Sequence, residues 1–353
     1  SPLYGLISRG AERMVDDLAS GLRGVVSIAS LAGVHARGRP SPNAAQLADA
    51  LALAQRFKRR HARLDRVAGI LLRDRFRPLI GSRDYFSSSA LLDAEYAKAV
   101  PSQLAELRPD VVLSFGGFHT HRAARQVCLE RGTVLLGHYG GAADWSMRIV
   151  ARQLTHGIVV SSPKDLLFLR QKEPRSRSWL IPPGVDLSQF SPGVPSVPVS
   201  DLSALPRPVF FCASAFDSFK RIHLLIDAVA MLGHGSLALA GDGPLRVPLL
   251  AQAEQQLGPG RFRYLGVLPK PRLQDVYRSI DVYCLPSVNE PFGIVLIEAM
   301  ACNRPVVATS DETRRWIIGD AGVLADVANR PAFTAALDQA ARTEWGARPR
   351  ARA

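Results

Sequence analysis

Asn289-Glu290-Pro291-Phe292-Gly293-Ile294-Val295-Leu296-Ile297-Glu298-Ala299-Met300-Ala301 lies between two short apolar runs, Asp281-Val282-Tyr283-Cys284-Leu285 before it and Pro305-Val306-Val307-Ala308 after it. Each run has the length and composition of a buried strand. The segment from Phe292 to Ala301 has no breaker after Gly293 and is apolar nearly all round, which predicts a buried helix. Pro291 suits the first turn of such a helix, and Gly293 lets another group approach the backbone closely. Strand, helix and strand at this spacing form one unit of a parallel sheet. The pattern repeats through the second half. Strands are predicted at Val209–Ala213, Leu237–Ala240, Phe262–Leu265, Asp281–Leu285 and Val306–Val307, with helices at about 220–232, 245–257, 271–279 and 293–301. Such alternation implies an α/β sheet covered on both faces, with ligands bound beyond the carboxyl ends of the strands.

Within the apolar helix Glu298 is the only charge, and a buried carboxylate is costly unless something bonds to it. Glu290 stands just before the helix start. The N–H groups at such a start, backed by the helix dipole, suit a pyrophosphate. One carboxylate could then accept from ribose hydroxyls and the other reach the next sugar, so the junction fits a nucleoside diphosphate. This stretch resembles the C-terminal signature of the retaining, family-four (group 1) glycosyltransferases of the GT-B fold. The resemblance implies two Rossmann-like, doubly wound parallel-sheet domains facing a cleft. It places Glu290 on the donor sugar, Glu298 on the ribose, and Phe292, Gly293 and Ile294 along the diphosphate. Ile181-Pro182-Pro183-Gly184-Val185-Asp186-Leu187-Ser188-Gln189-Phe190 resembles the same family's interdomain segment.

Further motifs carry the resemblance. Phe219-Lys220-Arg221 opens a predicted helix, and Lys220 matches the lysine that steadies the donor diphosphate. The family's Gly-Arg pair is Ser214-Ala215 here, so Arg221 is the candidate for the second positive charge. Gly241-Asp242-Gly243-Pro244 closes a strand with ordinary turn chemistry; the family has the same turn against the donor pocket. Val267 falls where the family stacks its nucleobase. In the first half, Ser8-Arg9-Gly10-Ala11-Glu12-Arg13 resembles a glycine-rich loop facing donor phosphate and acceptor, with Gly10 the matching glycine. His138 follows the strand Thr133–Leu136, where the family keeps a histidine beside the donor sugar. His119 and His121 follow another strand end, Asp110–Ser114. No two aspartates are separated by a single residue, so the Asp-x-Asp metal motif is absent. Neutralising a leaving pyrophosphate then falls to Lys220, the helix start and Arg221, and no metal is expected.

The chain has 353 residues, enough for two domains with separate cores. Residues 1–184 read as an acceptor-side domain without its first strand, 185–208 as a linker, and 209–353 as the nucleotide-sugar domain, short at its end. Seven of the 25 prolines fall between Ile181 and Pro208, a density that leaves few ordered elements. First-half strands are predicted at Val25–Ala29, Asp110–Ser114, Thr133–Leu136 and Gly157–Val160, with a helix near 11–22. Cys128, Cys212, Cys284 and Cys302 lack metal-type spacing and read as small core residues in a reducing, cytoplasmic setting.

The net charge is +13, and residues 56–84 alone contribute ten Lys or Arg against three Asp. Leu64, Val67, Ala68 and Leu71 recur at helical spacing there, opposite Arg59, Arg63, Arg66 and Arg73. A basic amphipathic helix suits an anionic membrane surface; an arginine-rich outer face of an ordinary domain helix is the other reading. No nucleic-acid motif accompanies the charge, and no nucleic-acid partner is expected. The expected activity is transfer of a hexosyl group from a UDP- or GDP-sugar to a glycan or lipid-linked acceptor. Two rivals are an epimerase or sugar-phosphate phosphorylase of the same fold, and a catalytically dead membrane-associated scaffold.

Overall fold

The computed structural model describes residues 35–36, 39–40, 88–115, 118–139, 145–154, 156–197 and 199–353. The chain divides into two compact units, Ser1–Pro182 and Pro183–Ala353. Gly10, the strand expected at Val25–Ala29, the helix near 11–22 and the basic segment 56–84 lie outside the described residues.

In the first unit, β1 (His35–Ala36) and β2 (Arg39–Pro40) pair antiparallel. Four further strands form a parallel sheet in sequence order: β3 (Val111–Ser114), β4 (Val134–Tyr139), β5 (Gly157–Val160) and β6 (Ser178–Leu180). Helices α1 (Ser88–Leu107), α2 (Phe118–Arg131), α3 (Trp145–Gln153) and α4 (Pro163–Lys172) lie between and before them. Ser162 caps α4 by accepting from the Asp165 N–H, with Pro163 in the first turn, a pairing that satisfies one orphan donor where proline has none to offer. Leu135, Ile158 and Val160 pack with Met147, Val150 and Leu169 in one core.

The second unit opens with α5 (Ser200–Ser203) and then builds a six-stranded parallel sheet. Its elements are β7 (Val209–Ala213), α6 (Ile222–Leu232), β8 (Ser236–Ala240), α7 (Arg246–Leu257), β9 (Phe262–Tyr264), α8 (Lys270–Ser279), β10 (Val282–Leu285), α9 (Ile294–Ala301), β11 (Val306–Thr309), α10 (Glu312–Ile318), β12 (Gly322–Ala325), α11 (Arg330–Arg342) and α12 (Arg348–Arg352). The strand order is β12-β11-β10-β7-β8-β9. The chain therefore leaves β7 in one direction and returns on its other side at β10. A crevice opens outside the carboxyl ends of the strands at such a reversal.

Side chains alternate strictly between two cores, as the pleat requires. Val209, Phe211, Tyr283 and Leu285 face one, and Phe210, Cys212, Val282 and Cys284 face the other. Both faces are dry, which is why these strands read as unbroken apolar runs. All four cysteines are buried and free of disulfides.

The proline-rich segment departs from the expected linker. Phe190, Val199, Leu202 and Leu205 are buried in the core of the second unit. Proline supplies no donor and fixes φ, so this backbone cannot pair as a ladder. Side chains satisfy it instead: the Asp275 carboxylate accepts from the Ser196 and Val197 N–H groups at 2.7 and 3.2 Å. Arg278 donates to the carbonyls of Gln189 and Ser191 at 3.0 and 2.9 Å, and Arg350 reaches those of Phe190 and Leu187 at 2.6 and 3.1 Å.

Candidate active site at the β7–β10 reversal

Three loops meet at the carboxyl edge of β7, β8 and β9. The Phe216 N–H donates to the Asp242 carbonyl at 2.9 Å, and the Gly241 N–H to the Gly266 carbonyl at 2.8 Å. A Cβ on Gly241, whose φ is +131°, would stand 1.9 Å from the Ser214 carbonyl oxygen. Only glycine permits that approach. The Asp242 carboxylate accepts from the Gly243 N–H at 2.8 Å and pairs with Arg246 at 3.4 Å, so it braces its own turn. Val267 projects from the third loop, 69% exposed.

Lys220 ends a 3-10 turn, Ser218–Lys220, that Asp217 caps by accepting from the Ser218 N–H. Arg221 then takes a left-handed conformation with φ 50°, and α6 begins at Ile222. The helix expected from about 220 therefore starts later, and Lys220 is held on a turn. From there its Nζ donates to Glu290 Oε2. Both side chains are largely shielded, 14% and 12% exposed, where an ion pair is worth more than at an open surface. The Lys220 ammonium also lies over the Phe219 ring, 4.9 Å from its centroid.

The helix after Glu290 also starts later than expected. Gly293 has φ 92° and precedes the first helical residue, Ile294, with no side chain capping the start. Pro291 and Phe292 stay outside the helix, and Phe292 packs edge-on against Trp316 at 6.4 Å. An uncapped start leaves N–H donors and the positive end of the dipole aimed past Gly293.

Glu298 is buried, 3% exposed. Tyr277 donates to its Oε2 at 3.1 Å. Burial and then the Glu298 charge push the Tyr277 phenol well up, so it stays a neutral donor. Arg314 was not anticipated from the sequence. Its Nη1 donates to the Glu290 main-chain carbonyl at 2.5 Å, and its Nη2 pairs with Asp311 at 2.7 Å. The available signal was its place among Thr313, Ile317 and Ile318 on the buried side of α10, where a charge is out of pattern.

The second unit thus brings together Lys220, Glu290, Gly293, Ile294 and Arg314 around one junction, with the Gly241–Gly243 turn and Val267 tied to the β7 loop. Arg221 follows Lys220 and is near enough to bear on the Arg314 charge. His138 belongs to the first unit, on β4. It is buried, bonds to the Ser161 hydroxyl at 3.2 Å and stacks on Phe115 at 5.1 Å. Burial lowers its imidazole to about 4. His121 is fully buried and His119 half-buried. Among the described residues no group of three or more His, Cys, Asp or Glu could hold a metal ion, and no helix is long and apolar enough to cross a membrane.

The two parallel sheets among the described residues, with this reversal, have the GT-B fold. Residues 207–343 match the family described as glycosyl transferases group 1. Over 216 residues the chain is 33% identical to a D-inositol 3-phosphate glycosyltransferase of Mycolicibacterium vanbaalenii, covering 52% of this chain and 48% of that protein. It is 34% identical over 134 residues to the lipopolysaccharide core biosynthesis glycosyltransferase LpsE of Rhizobium meliloti, covering 37% and 39%. The chain thus spans about half or less of the length of these relatives. Among solved structures, sucrose-phosphate synthase of Thermosynechococcus elongatus matches with a TM-score of 0.64 at 23% identity, covering 78% of this chain and 76% of that one. Anabaena HepE in complex with UDP-glucose matches with a TM-score of 0.59 at 20% identity, covering 73% and 76%. These two show the fold.

Proposed function

We propose that the chain is a retaining glycosyltransferase that moves a hexosyl group from a UDP- or GDP-sugar to a glycan or lipid-linked acceptor. The observation that carries this reading is the Lys220–Glu290 pair set beside the uncapped start of α9. The donor diphosphate would lie across the helix start and draw the Lys220 ammonium onto its oxygens. Glu290, released from Lys220, would accept from sugar hydroxyls, and Glu298 from the ribose, with Val267 against the base. HepE, which shares the fold, has been solved in complex with UDP and with UDP-glucose, and this supports a nucleotide-sugar donor here. The polyol-phosphate and lipopolysaccharide relatives favour a phosphorylated or lipid-linked acceptor.

In the transfer, the bond from the sugar's anomeric carbon to the leaving phosphate breaks. A bond to the acceptor oxygen forms on the same face, and the acceptor proton passes to the departing phosphate oxygen. The diphosphate is then its own base. Lys220 and Arg221, with the helix start, stabilise the charge that grows on it, so the reading needs no metal. Burial keeps His138 of the first unit neutral at physiological pH, a state suited to hydrogen-bonding a sugar hydroxyl. The enzyme would act in the cytoplasm, with the basic segment 56–84 at an anionic membrane surface.

A thermal-shift series with UDP-, GDP-, ADP- and dTDP-sugars, with and without chelator, tests this. Stabilisation of about 2.7 kcal/mol is expected at a hundred times the dissociation constant of the true donor. A flat response to all four classes would remove the proposal.

A further inference from the structure

Arg314 heads the largest fully buried side chains among the described residues, at 2% exposure. A guanidinium has no neutral form to adopt at ordinary pH, so its burial is costly unless bonds repay it. Asp311 is one partner, and it also caps α10 by accepting from the Arg314 N–H at 2.9 Å. The other is the main-chain carbonyl of Glu290. That carbonyl belongs to the peptide bond with Pro291, which offers no N–H. Two left-handed residues bracket it, Asn289 with φ 55° and Gly293 with φ 92°, so the loop doubles back without a ladder or helix to receive its oxygens. Arg314 supplies the missing donor. Glu290 is consequently held at both ends, its carboxylate by Lys220 and its backbone by Arg314.

We propose that Arg314 is a positioning residue of this site, setting through the Glu290 backbone the angle at which the Glu290 carboxylate meets Lys220. Resting on the function proposed above, it thereby also sets where that carboxylate meets the transferred sugar. Arg314 touches no reactant. Its side chain is closed from solvent, and its arms are taken up by Asp311 and Glu290. Displacement of a reacting group by ~1 Å costs about a hundredfold in rate, so a loop fixed at one carbonyl is a sensitive lever.

The test compares Arg314→Lys, Glu290→Gln and the double variant in the full chain. Lys220 acetylation by an N-hydroxysuccinimide ester, followed by mass spectrometry, reads the ion pair whatever the chain's activity. Arg314→Lys should raise the Lys220 labelling rate about threefold or more, approaching Glu290→Gln. The double variant should label no faster than Glu290→Gln alone. With a nucleotide sugar that the parent turns over, Arg314→Lys should lower kcat about 10- to 100-fold and leave the donor KM within about threefold. It should lower kcat no further on the Glu290→Gln background. Unchanged Lys220 labelling in a folded Arg314→Lys chain overturns the proposal, as do independent, multiplying losses in the double variant. Asp311→Asn guards against a merely structural role, because it disturbs the burial of Arg314 and spares the bond to Glu290. It should lower Tm with kcat and labelling retained, and losses that simply track Tm across all variants would also overturn the proposal. A parent that neither binds nor turns over any nucleotide sugar sinks the transferase reading, and the labelling result still decides the role of Arg314.

Discussion

β7, β8 and β10 of the second unit contain no exposed residue, whereas Val111 and Leu113 of β3 in the first unit are 54% and 39% exposed. Every side chain of those three central strands enters or borders one of two cores. On β3 the alternate residues meet solvent, and only Val112 and Ser114 turn inward. The difference bears on where chemistry can be held. Loops that leave β7, β8 and β10 start from backbone fixed on both faces, and these loops carry Lys220, the Gly241–Gly243 turn and Glu290. The first unit has a half-solvated strand beside β4, which carries His138. A donor site needs fixed charges, and the doubly packed sheet supplies the stiffer frame.

Phe211→Ala is the severest way to break this contrast. It removes a fully buried ring that meets Tyr277 and Tyr283 edge-on at 5.9 Å, and should cost about 3–5 kcal/mol in denaturant unfolding. Lys220→Ala should leave the fold intact and lower kcat by about 2–4 kcal/mol of barrier, the scale of one electrostatic contact to developing charge. Equal steady-state kinetics in variant and parent would return Lys220 to a purely structural ion pair. Glu298→Ala should weaken donor binding by about 1.5–3 kcal/mol, since charged acceptors hold hydroxyls at that strength. Calorimetry showing parental nucleotide affinity would remove the ribose assignment.

The first unit responds to acid instead. His138 binds its proton less readily folded, where burial lowers it to about 4, than unfolded, at the ordinary histidine value of 6.5. Between those values the unfolded chain holds more protons, so stability falls as pH drops through 6.5 and levels off below 4. The loss at pH 5 should be roughly 2 kcal/mol, and His138→Gln should flatten that slope in pH-dependent unfolding. Smallest of all, Val111→Thr on the exposed face of β3 should stay within about 0.5 kcal/mol of the parent. A larger loss would show that this face is covered in solution.

The same contrast governs what could be read from the sequence. The five strands expected in the second half stand where β7, β8, β9, β10 and β11 stand. In β7, β8, β10 and β11 burial on both faces leaves unbroken apolar runs, whereas the edge strand β9, Phe262-Arg263-Tyr264, is interrupted by a charge. β12 went unread. Its residues are mostly half-buried, and Gly322-Val323-Leu324-Ala325 is too short to show a period. α10 was missed for a related reason. It is seven residues long and opens Glu312-Thr313-Arg314-Arg315, so its apolar residues, Trp316, Ile317 and Ile318, are bunched at its end and show no helical period. Helix starts were placed one or two residues early at Lys220 and Gly293, where left-handed backbone at Arg221 and Gly293 delays the first turn. The Lys220–Glu290 pair joins residues 70 apart, and no local pattern could bring them together. Only the resemblance put both at one site.

The packing of the proline-rich segment has a consequence for modularity. The family match begins at residue 207, yet the physical piece that could be cut out or exchanged between proteins begins at Pro183. A cut at residue 209 would strip Phe190, Val199, Leu202 and Leu205 from the core and deprive Asp275, Arg278 and Arg350 of their main-chain partners. A cut at Pro183 severs none of these. The portable unit of this protein is larger than the span by which sequence recognises it.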